Sequence, residues 1–369
     1  METFPAQHAL SKQILRLFPP PRYLKMPAVG IDTSESSIRF LELIADKSGK
    51  KLGKFGVYPI PKGLVVDGEI KDIAKFSEEL SKLRKKYNLD FVHLSLPEEQ
   101  VYLFQTIIPA ASKNEGQMRS ILEFKLEENV PLKPHEAIFD YEIIGTGTEE
   151  ELNINMAVYP RNVVESYVEA LKGAGLTPLS LEIESQSIAR SVIPDGDSGT
   201  YMLVDFGRMR TGIAVVENGI LRFTSTLSVA GESLTAAIQK HFSVTEEEAD
   251  KIKNEKGFAR YKNNTELFEL LMNTVSALKD EVNKHYIYWN TRTGRHDDEA
   301  GKIKKIILCG GSSNLAGLSD YLSLFIKAPI ELANVWGNVL SFEDTIPPIE
   351  KRHSFAYATA IGLALRNVE

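Results

Sequence analysis

Residues 201–223, YMLVDFGRMRTGIAVVENGILRF, decide the fold prediction. An apolar run ends in Asp205, the chain bends at Gly207, and a second apolar run continues through Ile213–Val216. A third run follows the turn at residues 217–219. Apolar runs separated by glycine, asparagine or charged residues are typical of consecutive strands joined by tight turns. The stretch therefore predicts a strand meander with an acidic side chain at its first turn.

The N-terminal half of the chain carries the same pattern. In residues 28–43, AVGIDTSESSIRFLEL, an apolar strand ends in Asp32, a bend rich in serine and threonine follows, and a second apolar run occupies Ile38–Leu43. Two hairpins with an acid at the same place indicate a duplicated fold, in which the two turns face one ligand.

Composition restricts the class of protein. The 369 residues are 43% hydrophobic and 25% charged, which is typical of globular chains, and the length predicts about two domains. A net charge of -7 argues against general nucleic-acid binding, which needs a basic surface. The single cysteine, Cys309, excludes an intrachain disulfide. We find no apolar run of about 18 residues and no signal peptide, so we expect a cytoplasmic protein.

The order of patterns along the chain predicts four parts. These are an N-terminal extension (1–27), a first lobe (28–96 and 178–198, with the C-terminal helix 352–367), an inserted small α+β subdomain (97–177) and a second lobe (199–351). In the extension, the apolar residues of 8–18 have helical spacing. This segment fits either an arm that binds a membrane or a partner, or a tail that docks on its own domain. Apolar spacing elsewhere predicts helices over 70–86, 114–128, 162–174, 232–271, 272–289, from about 315, and over 357–366.

The paired acids suggest a nucleotide site. Hairpin turns present backbone N–H groups and hydroxyls that hold phosphate oxygens. Asp32 and Asp205 would hold Mg²⁺ through its waters, because Mg²⁺ prefers carboxylate and water oxygens. The alternative is that each aspartate only caps its own turn.

A second motif lies at residues 306–318, IILCGGSSNLAGL. A buried strand runs into Gly310 and Gly311, and a helix is predicted to follow. Glycines let the backbone approach a flat ring or a ribose closely, and the start of a helix adds free N–H donors. Cys309 is interpreted as a buried strand residue.

The two hairpins, the Gly-Gly-Ser motif and the alanine-rich closing segment ATAIGLALR resemble, in the same order, the superfamily of actin, heat-shock chaperones and sugar kinases. Over about residues 28–367 the chain is similar to the PilM family of type IV pilus assembly proteins, with the FtsA cell-division family next. The insert occupies the place of a small subdomain peculiar to these two families. The resemblance implies an α/β, actin-like (ribonuclease H-like, duplicated) two-lobed fold.

The resemblance also implies a set of nucleotide-binding residues, with ATP or ADP and Mg²⁺ as ligands and no catalytic residue. They are Asp32, Ser34, Glu35, Ser36, Ser37, Asp205, Gly207, Arg208, Arg210, Thr211, Gly231, Glu232, Asp250, Lys253, Lys284, Gly310, Gly311 and Ser312, with Asp32 and Asp205 at the metal. The chain departs from the family pattern in three segments. Ser34 replaces a glycine and should cost φ freedom, Ala230 stands where a glycine is expected, and two arginines fill the second turn. These arginines either meet phosphate charge or form salt bridges across the cleft.

The function implied is an ATP-binding scaffold of the pilus machinery, with weak or absent hydrolysis. It would bind the cytoplasmic N-terminal peptide of a PilN-like inner-membrane protein in a groove near the insert, alongside other pilus platform proteins, and would itself lie in the cytoplasm at the inner membrane. Two alternatives stay open at this point: an FtsA-like filament former, which is a possible homo-oligomer, and a small-molecule kinase, which needs a general base near Asp32.

Overall fold

The computed structural model of the protein describes residues 26–46, 49–110, 115–148, 150–259, 264–291, 301–343, 345–366 and 368. Its strands are β1 (Ala28–Thr33), β2 (Ser37–Asp46), β3 (Gly49–Pro59), β4 (Val65–Val66), β5 (Glu69–Ile70), β6 (Phe91–Leu96), β7 (Tyr102–Pro109), β8 (Ala137–Thr148), β9 (Glu151–Pro160), β10 (Thr177–Ile183), β11 (Thr200–Phe206), β12 (Thr211–Glu217), β13 (Ile220–Leu227), β14 (Ile303–Cys309) and β15 (Ile330–Leu332). Its α-helices are α1 (Ile73–Tyr87), α2 (Glu115–Asn129), α3 (Arg161–Gly173), α4 (Glu184–Val192), α5 (Gly231–Phe242), α6 (Glu246–Lys256), α7 (Thr265–Asn290), α8 (Leu318–Ser323), α9 (Lys351–Ser354) and α10 (Ala358–Leu365). The helix predicted over residues 8–18 lies outside the described residues.

Two five-stranded sheets have the same design. The first has the strand order β10-β6-β1-β2-β3 and the second has the order β13-β12-β11-β14-β15. In each sheet a three-strand antiparallel meander comes first, and two parallel strands extend it on the far side of the meander's first strand. The chain thus builds one topology twice, as the repeated hairpin predicts, with β1 equivalent to β11.

The second sheet is buried on both faces, which explains its long apolar runs. Alternate residues of β11 point to opposite sides, as in any strand. Met202 and Val204 pack into the core of the second lobe, beneath α5 and α7. Tyr201 and Leu203 pack into the core of the first lobe. The second sheet therefore contributes to the cores of both lobes, and α4 packs against both sheets, with α10 against the first.

The inserted subdomain has a sheet and a core of its own. Its strands are ordered β7-β9-β8, all antiparallel. One face of this sheet packs on α2 through Met118, Leu122 and Leu126. The chain enters the subdomain after β6, through a 3-10 turn at Glu98–Gln100, and returns to the first sheet as β10.

Several predicted boundaries are wrong. The helix predicted from residue 70 begins at Ile73, because Glu69 and Ile70 pair with β4 and Asp72 caps the helix by accepting a hydrogen bond from Lys75 N at 2.9 Å. The long helix predicted from residue 272 begins at Thr265. The stretch predicted as one helix with weak breaks over 232–271 holds two shorter helices, α5 and α6, before that start. A 3-10 turn occupies Gly311–Asn314, where the helix predicted near residue 315 was to begin.

Candidate functional site

Both hairpin turns open into one cleft between the lobes. β1 and β11 are equivalent strands, and their carboxyl ends meet where Asp32 and Asp205 lie. The cleft has a volume of about 220 Å³. It is lined by both turns, by the glycines that follow β14 and by residues from α4, α6 and the chain around α10. A cavity at the carboxyl ends of the central strands is where open α/β sheets bind ligands.

The two aspartates form a pair of buried carboxyl groups. Burial raises the pKa of Asp205 to about 6, and the negative charge of Asp32 adds to the rise. Burial also raises the pKa of Asp32, against the opposing charges of Arg39 and Arg210. Ser95 donates a hydrogen bond to Asp32 at 3.2 Å. Because each ionised aspartate disfavours the other, a divalent cation between them would stabilise both, and the pair fits Mg²⁺ held through waters.

The two arginines of the second turn are paired with carboxylates. Arg210 lies 2.6 Å from Glu99 and 2.6 Å from Glu184. Arg208 donates to Glu232 at 3.0 Å and also contacts Glu246 and Asp250 of α6. The ion pairs of Arg210 cross the cleft, as one alternative predicts, whereas those of Arg208 stay within the second lobe; contact of either arginine with phosphate stays a prediction.

A third arginine in the cleft, Arg39, escaped the sequence prediction. It lies on β2 directly opposite Asp32 in the antiparallel register. Among the described residues its guanidinium makes no ion pair, and it acts on the pKa values of Asp32 and Asp205 by charge alone. The signal that could have found it is the hairpin register, since cross-strand partners project from the same face.

Tight backbone contacts shape the side of the cleft after β14. Gly310 has a φ of +86°, and a Cβ there would lie 2.2 Å from Asp205 Oδ1. Ser312 Oγ donates to the Gly207 carbonyl at 2.9 Å, which ties this segment to the second turn. A Cβ on Gly231 would lie 2.0 Å from Ser312 Oγ, so three segments meet here at backbone distance.

Asp250 and Lys253 form one polar unit on α6. Lys253 is buried, and its amine donates to Asp250 at 2.7 Å and to Thr235 at 2.6 Å. Burial would raise the pKa of Asp250, but the hydrogen bonds from Lys253 and Thr235 outweigh it and lower the pKa. The unit presents a fixed carboxylate to the cleft, opposite the first turn.

The structure brings most of the predicted residues together and leaves five outside the cleft lining. Those that line it are Asp32, Ser34, Glu35, Ser36, Asp205, Gly207, Arg208, Arg210, Asp250, Lys253, Gly310, Gly311 and Ser312. Four predicted residues lie behind the lining: Ser37, Thr211, Gly231 and Glu232. The Thr211 hydroxyl donates to the Val229 carbonyl at 2.5 Å, and Glu232 accepts a hydrogen bond from Arg208. Lys284 is exposed on α7 and pairs with Glu281. The site residues stay predictions.

The first turn also differs from expectation in one detail. Ser34 does not have a positive φ, so the cost expected from replacing a glycine there is not incurred. Its hydroxyl donates to the Ser37 carbonyl at 2.9 Å and stabilises the turn itself. Glu35 accepts a hydrogen bond from the Asp67 backbone N–H at 3.1 Å.

A second concave surface, here called the groove, lies between the inserted sheet and the first lobe. Its volume is about 620 Å³. Apolar side chains from these two parts line it, with Leu221 added from β13 of the second lobe; the others are Leu96, Leu103, Ile138, Phe139, Val164, Leu181 and Ile183. Asp140, Glu142, Glu182 and Arg366 add charge.

Two buried polar atoms in the groove are without a partner. Within the described part of the chain, neither Asn155 Oδ1 nor the Tyr159 hydroxyl has a hydrogen bond. Both residues are at least nine-tenths buried. A buried polar atom without a hydrogen-bond partner costs free energy, so this wall of the groove is less stable than a fully hydrogen-bonded one.

Over the residues that the structure describes, no group of three or more His, Cys, Asp or Glu side chains is arranged to hold a metal ion directly. No helix in the described ranges is long and apolar enough to cross a membrane.

The duplicated sheets, the shared cleft and the inserted subdomain define an actin-like protein of two lobes. A family model described as "Type IV pilus assembly protein PilM" matches residues 30–368. The chain belongs to this family. The fold and the family expected from the sequence are both confirmed.

Solved structures agree with the fold. A PilM-PilN type IV pilus biogenesis complex is similar with a TM-score of 0.77 at 21% identity, covering 94% of this chain and 99% of that one. The ethanolamine utilization protein EutJ from Carboxydothermus hydrogenoformans has a TM-score of 0.55 at 18% identity, covering 98% and 99%. MreB5 of Spiroplasma citri, bound to ADP, has a TM-score of 0.54 at 13% identity, covering 92% and 95%.

Proposed function

We propose that this protein is a nucleotide-binding scaffold of type IV pilus assembly that holds the N-terminal peptide of a PilN-like inner-membrane protein in the groove. The observation that carries the proposal is the groove itself, an apolar concave surface with acidic side chains in its lining, in a PilM-family chain. A relative of the same fold was solved as a PilM-PilN complex. The peptide would hold the scaffold at the inner membrane.

The lining of the groove defines the chemistry of the peptide. Apolar side chains require a largely apolar segment in extended or helical form. Burial raises the pKa of Glu142, and Asp140 lies beside it. A lysine, an arginine or a free amino terminus next to the apolar segment would pair with these two acids.

Peptide binding can be tested by fluorescence anisotropy with a labelled N-terminal peptide of the PilN protein from the same source. Leu103 lines the groove, whereas its neighbour Tyr102 points to the other face of β7 and is exposed. Leu103→Glu should weaken binding by about tenfold or more, since it removes apolar burial and adds a charge. Tyr102→Glu should bind like wild type. Equal affinities in both variants would contradict the assignment of the groove.

The cleft is proposed to bind ATP or ADP with Mg²⁺. Asp32 and Asp205 would hold the cation through waters, and Arg39 would meet a phosphate oxygen, because it is the cleft arginine without a carboxylate partner among the described residues. Gly310, Gly311 and Ser312 leave room for the base and ribose. MreB5, of the same fold, was solved with ADP.

Nucleotide binding can be tested by isothermal titration with ADP and Mg²⁺. Loss of a charge-assisted hydrogen bond costs about 1.5–3 kcal/mol, so Arg39→Ala should raise Kd by about ten- to a hundredfold. Lys284→Ala removes a positive charge from the exposed face of α7 and should leave Kd unchanged. A normal Kd for Arg39→Ala would exclude the proposed role of Arg39.

A further inference from the structure

We propose that Arg210 couples the cleft to the groove by binding both chain connections of the inserted subdomain. The inference rests on the proposed function, because it requires one ligand at each site.

One guanidinium joins three parts of the molecule. Arg210 ends the second turn, in the cleft, and leads into β12. Its Nη1 lies 2.6 Å from Glu99 Oε1, and its Nη2 lies 2.6 Å from Glu184 Oε1. Glu99 lies in the 3-10 turn through which the chain enters the subdomain. Glu184 is the first residue of α4, directly after the strand by which the chain returns.

The same connections form a wall of the groove. Leu96 comes three residues before Glu99, and Ile183 comes one residue before Glu184; both line the groove. Tyr159, whose hydroxyl has no partner within the described residues, lines it as well. Burial raises the pKa of Tyr159, and the charges of the nearby Glu98, Glu184 and Glu99 raise it further.

This arrangement makes the two ligands interdependent. A phosphate group in the cleft attracts Arg210 and competes with Glu99 and Glu184 for the same guanidinium. Any movement of the guanidinium alters its ion pairs with Glu99 and Glu184, which fix the two chain connections. The positions of the groove residues Leu96, Ile183 and Tyr159 change with those connections. Because Arg210 is only 20% exposed, solvent and salt screen its ion pairs weakly. Coupling between two binding sites is reciprocal, so peptide must change nucleotide affinity by the factor by which nucleotide changes peptide affinity.

The test measures that factor. The Kd of the labelled PilN peptide is determined by anisotropy without nucleotide and with saturating ADP and Mg²⁺. For the wild type we expect the ratio of the two Kd values to differ from 1 by about fivefold or more, which is the lower end of typical allosteric coupling. For Arg210→Gln we expect a ratio within about twofold of 1, while both ligands still bind.

Arg208→Gln is the matched control. Arg208 lies in the same turn and carries the same charge, but its partners Glu232, Glu246 and Asp250 all belong to the second lobe. This variant can weaken nucleotide binding, so its nucleotide concentration is raised to saturation. Its coupling ratio should equal that of the wild type. If Arg208→Gln abolishes coupling as fully as Arg210→Gln does, the assignment to Arg210 is wrong.

A second variant guards against misfolding. Arg210→Gln leaves two buried carboxylates without their partner, and its fold is checked by circular dichroism. Glu99→Gln removes the charge from one of the two ion pairs and keeps Arg210 paired with Glu184; its coupling ratio should fall between that of the wild type and 1. An unchanged ratio in Glu99→Gln overturns the inference even if Arg210→Gln does not fold.

Failure of the inference and failure of the proposed function give different results. If the wild type binds both ligands with a coupling ratio near 1, the proposed function stands and the inference is wrong. If the wild type binds neither ligand, the two fall together. The reciprocal titration, nucleotide with and without peptide, must give the same factor, and a different factor would contradict a two-site coupling.

Discussion

Glu98 lies at the point where the inserted subdomain leaves the first lobe, and it is one of the most confined acids of the protein. Its side chain is 5% exposed and accepts a hydrogen bond from Ser185. Burial raises the pKa of Glu98 to about 7, and the charge of Asp205 contributes. The folded protein therefore binds a proton there that the unfolded chain loses at a lower pH.

The pH dependence of stability should reveal this proton. Because the pKa of Glu98 in the folded protein lies above its ordinary value of 4.5, its contribution to the stability of the fold is fully present below pH 4.5. This contribution is lost as the pH rises through 7. Glu98→Gln removes the charge and keeps the shape. The difference in stability, variant minus wild type, should therefore rise by about 2 kcal/mol between pH 5.5 and pH 8, in favour of the variant. Urea denaturation at both pH values measures the difference, and an equal effect at both would contradict the assignment. Glu151→Gln, at an exposed position, controls for the change in charge.

Substitution by alanine should lower stability at one of the two neighbouring glycines after β14 and should leave it unchanged at the other. A Cβ on Gly310 would lie 2.2 Å from Asp205 Oδ1 and 2.6 Å from the Phe206 carbonyl, and its φ of +86° is strained for any other residue. On Gly311 the nearest atom would be Ala356 Cβ at 3.6 Å, an ordinary contact. Gly310→Ala should lower stability by about 1–3 kcal/mol and abolish nucleotide binding, whereas Gly311→Ala should be stable. Thermal unfolding and titration with ADP and Mg²⁺ distinguish the two; similar results for both would be contrary to this geometry.

The residues of the cleft divide into those that local sequence can predict and those that it cannot. Asp32 and Asp205 were found because each ends an apolar run at a turn, which is a local signal. Arg39 was missed because its place depends on hairpin register. Glu184 was missed because it follows β10, a strand that the sequence analysis did not find, and it reaches Arg210 only through the tertiary fold.

At the scale of elements, α10 is the clearest case of packing set by small residues. The helix is buried along its whole length and lies against α4 and β1. A Cβ on Gly362 would lie 1.7 Å from the Ser187 carbonyl of α4, and a Cβ on Gly30 of β1 would lie 2.2 Å from the Ala360 carbonyl. The sequence predicted close packing from the small residues of this helix, and the structure identifies the neighbouring backbone.

Gly362→Ala should therefore reverse the usual effect of this substitution in a helix. Replacing a helical glycine with alanine normally stabilises by about 1 kcal/mol. At Gly362 the new methyl group meets backbone that has no room to move, and we expect a loss of about 2–4 kcal/mol. Gly173→Ala, at the end of α3, provides the comparison, because the nearest atom there is Ser77 Oγ, which can rotate away. A stabilised Gly362→Ala, by denaturant unfolding, would rule out the tight contact between α10 and α4.

Helix ends were less predictable than helix faces, for physical reasons. The inner face of α7, with Val275, Leu278 and Val282, is buried as its spacing predicts. Its first residue lay seven positions earlier than expected, because Leu267 and Leu271 extend the same buried stripe. The short helix α4 escaped detection because its nine residues, ESQSIARSV, include polar side chains that are buried only where the two lobes meet.

At the scale of the whole molecule, the two lobes meet across acidic groups. Asp32 and Glu184 come from the first lobe and Asp205 from the second, and Arg210 and Arg39 compensate for only part of this charge. A nucleotide adds several negative charges to the same space. We therefore expect a cation to accompany a nucleotide that binds between the lobes, since like charges repel strongly in a partly buried site.

Nucleotide binding should accordingly depend on a divalent cation. A ligand that binds only the folded state at about a hundred times its Kd stabilises it by about 2.7 kcal/mol, which gives a rise of a few degrees in Tm. ADP with Mg²⁺ should produce this rise, and ADP with a chelator should produce little or none. Asp205→Asn removes one of the repelling charges, so the rise in Tm with ADP and Mg²⁺ should exceed the rise with ADP and a chelator by less than in the wild type. Asp90→Asn, at a surface position of the first lobe, should leave this difference as it is in the wild type. Equal shifts with and without Mg²⁺ in the wild type would mean that Arg39 and Arg210 alone compensate the phosphates, and that the aspartate pair has another role.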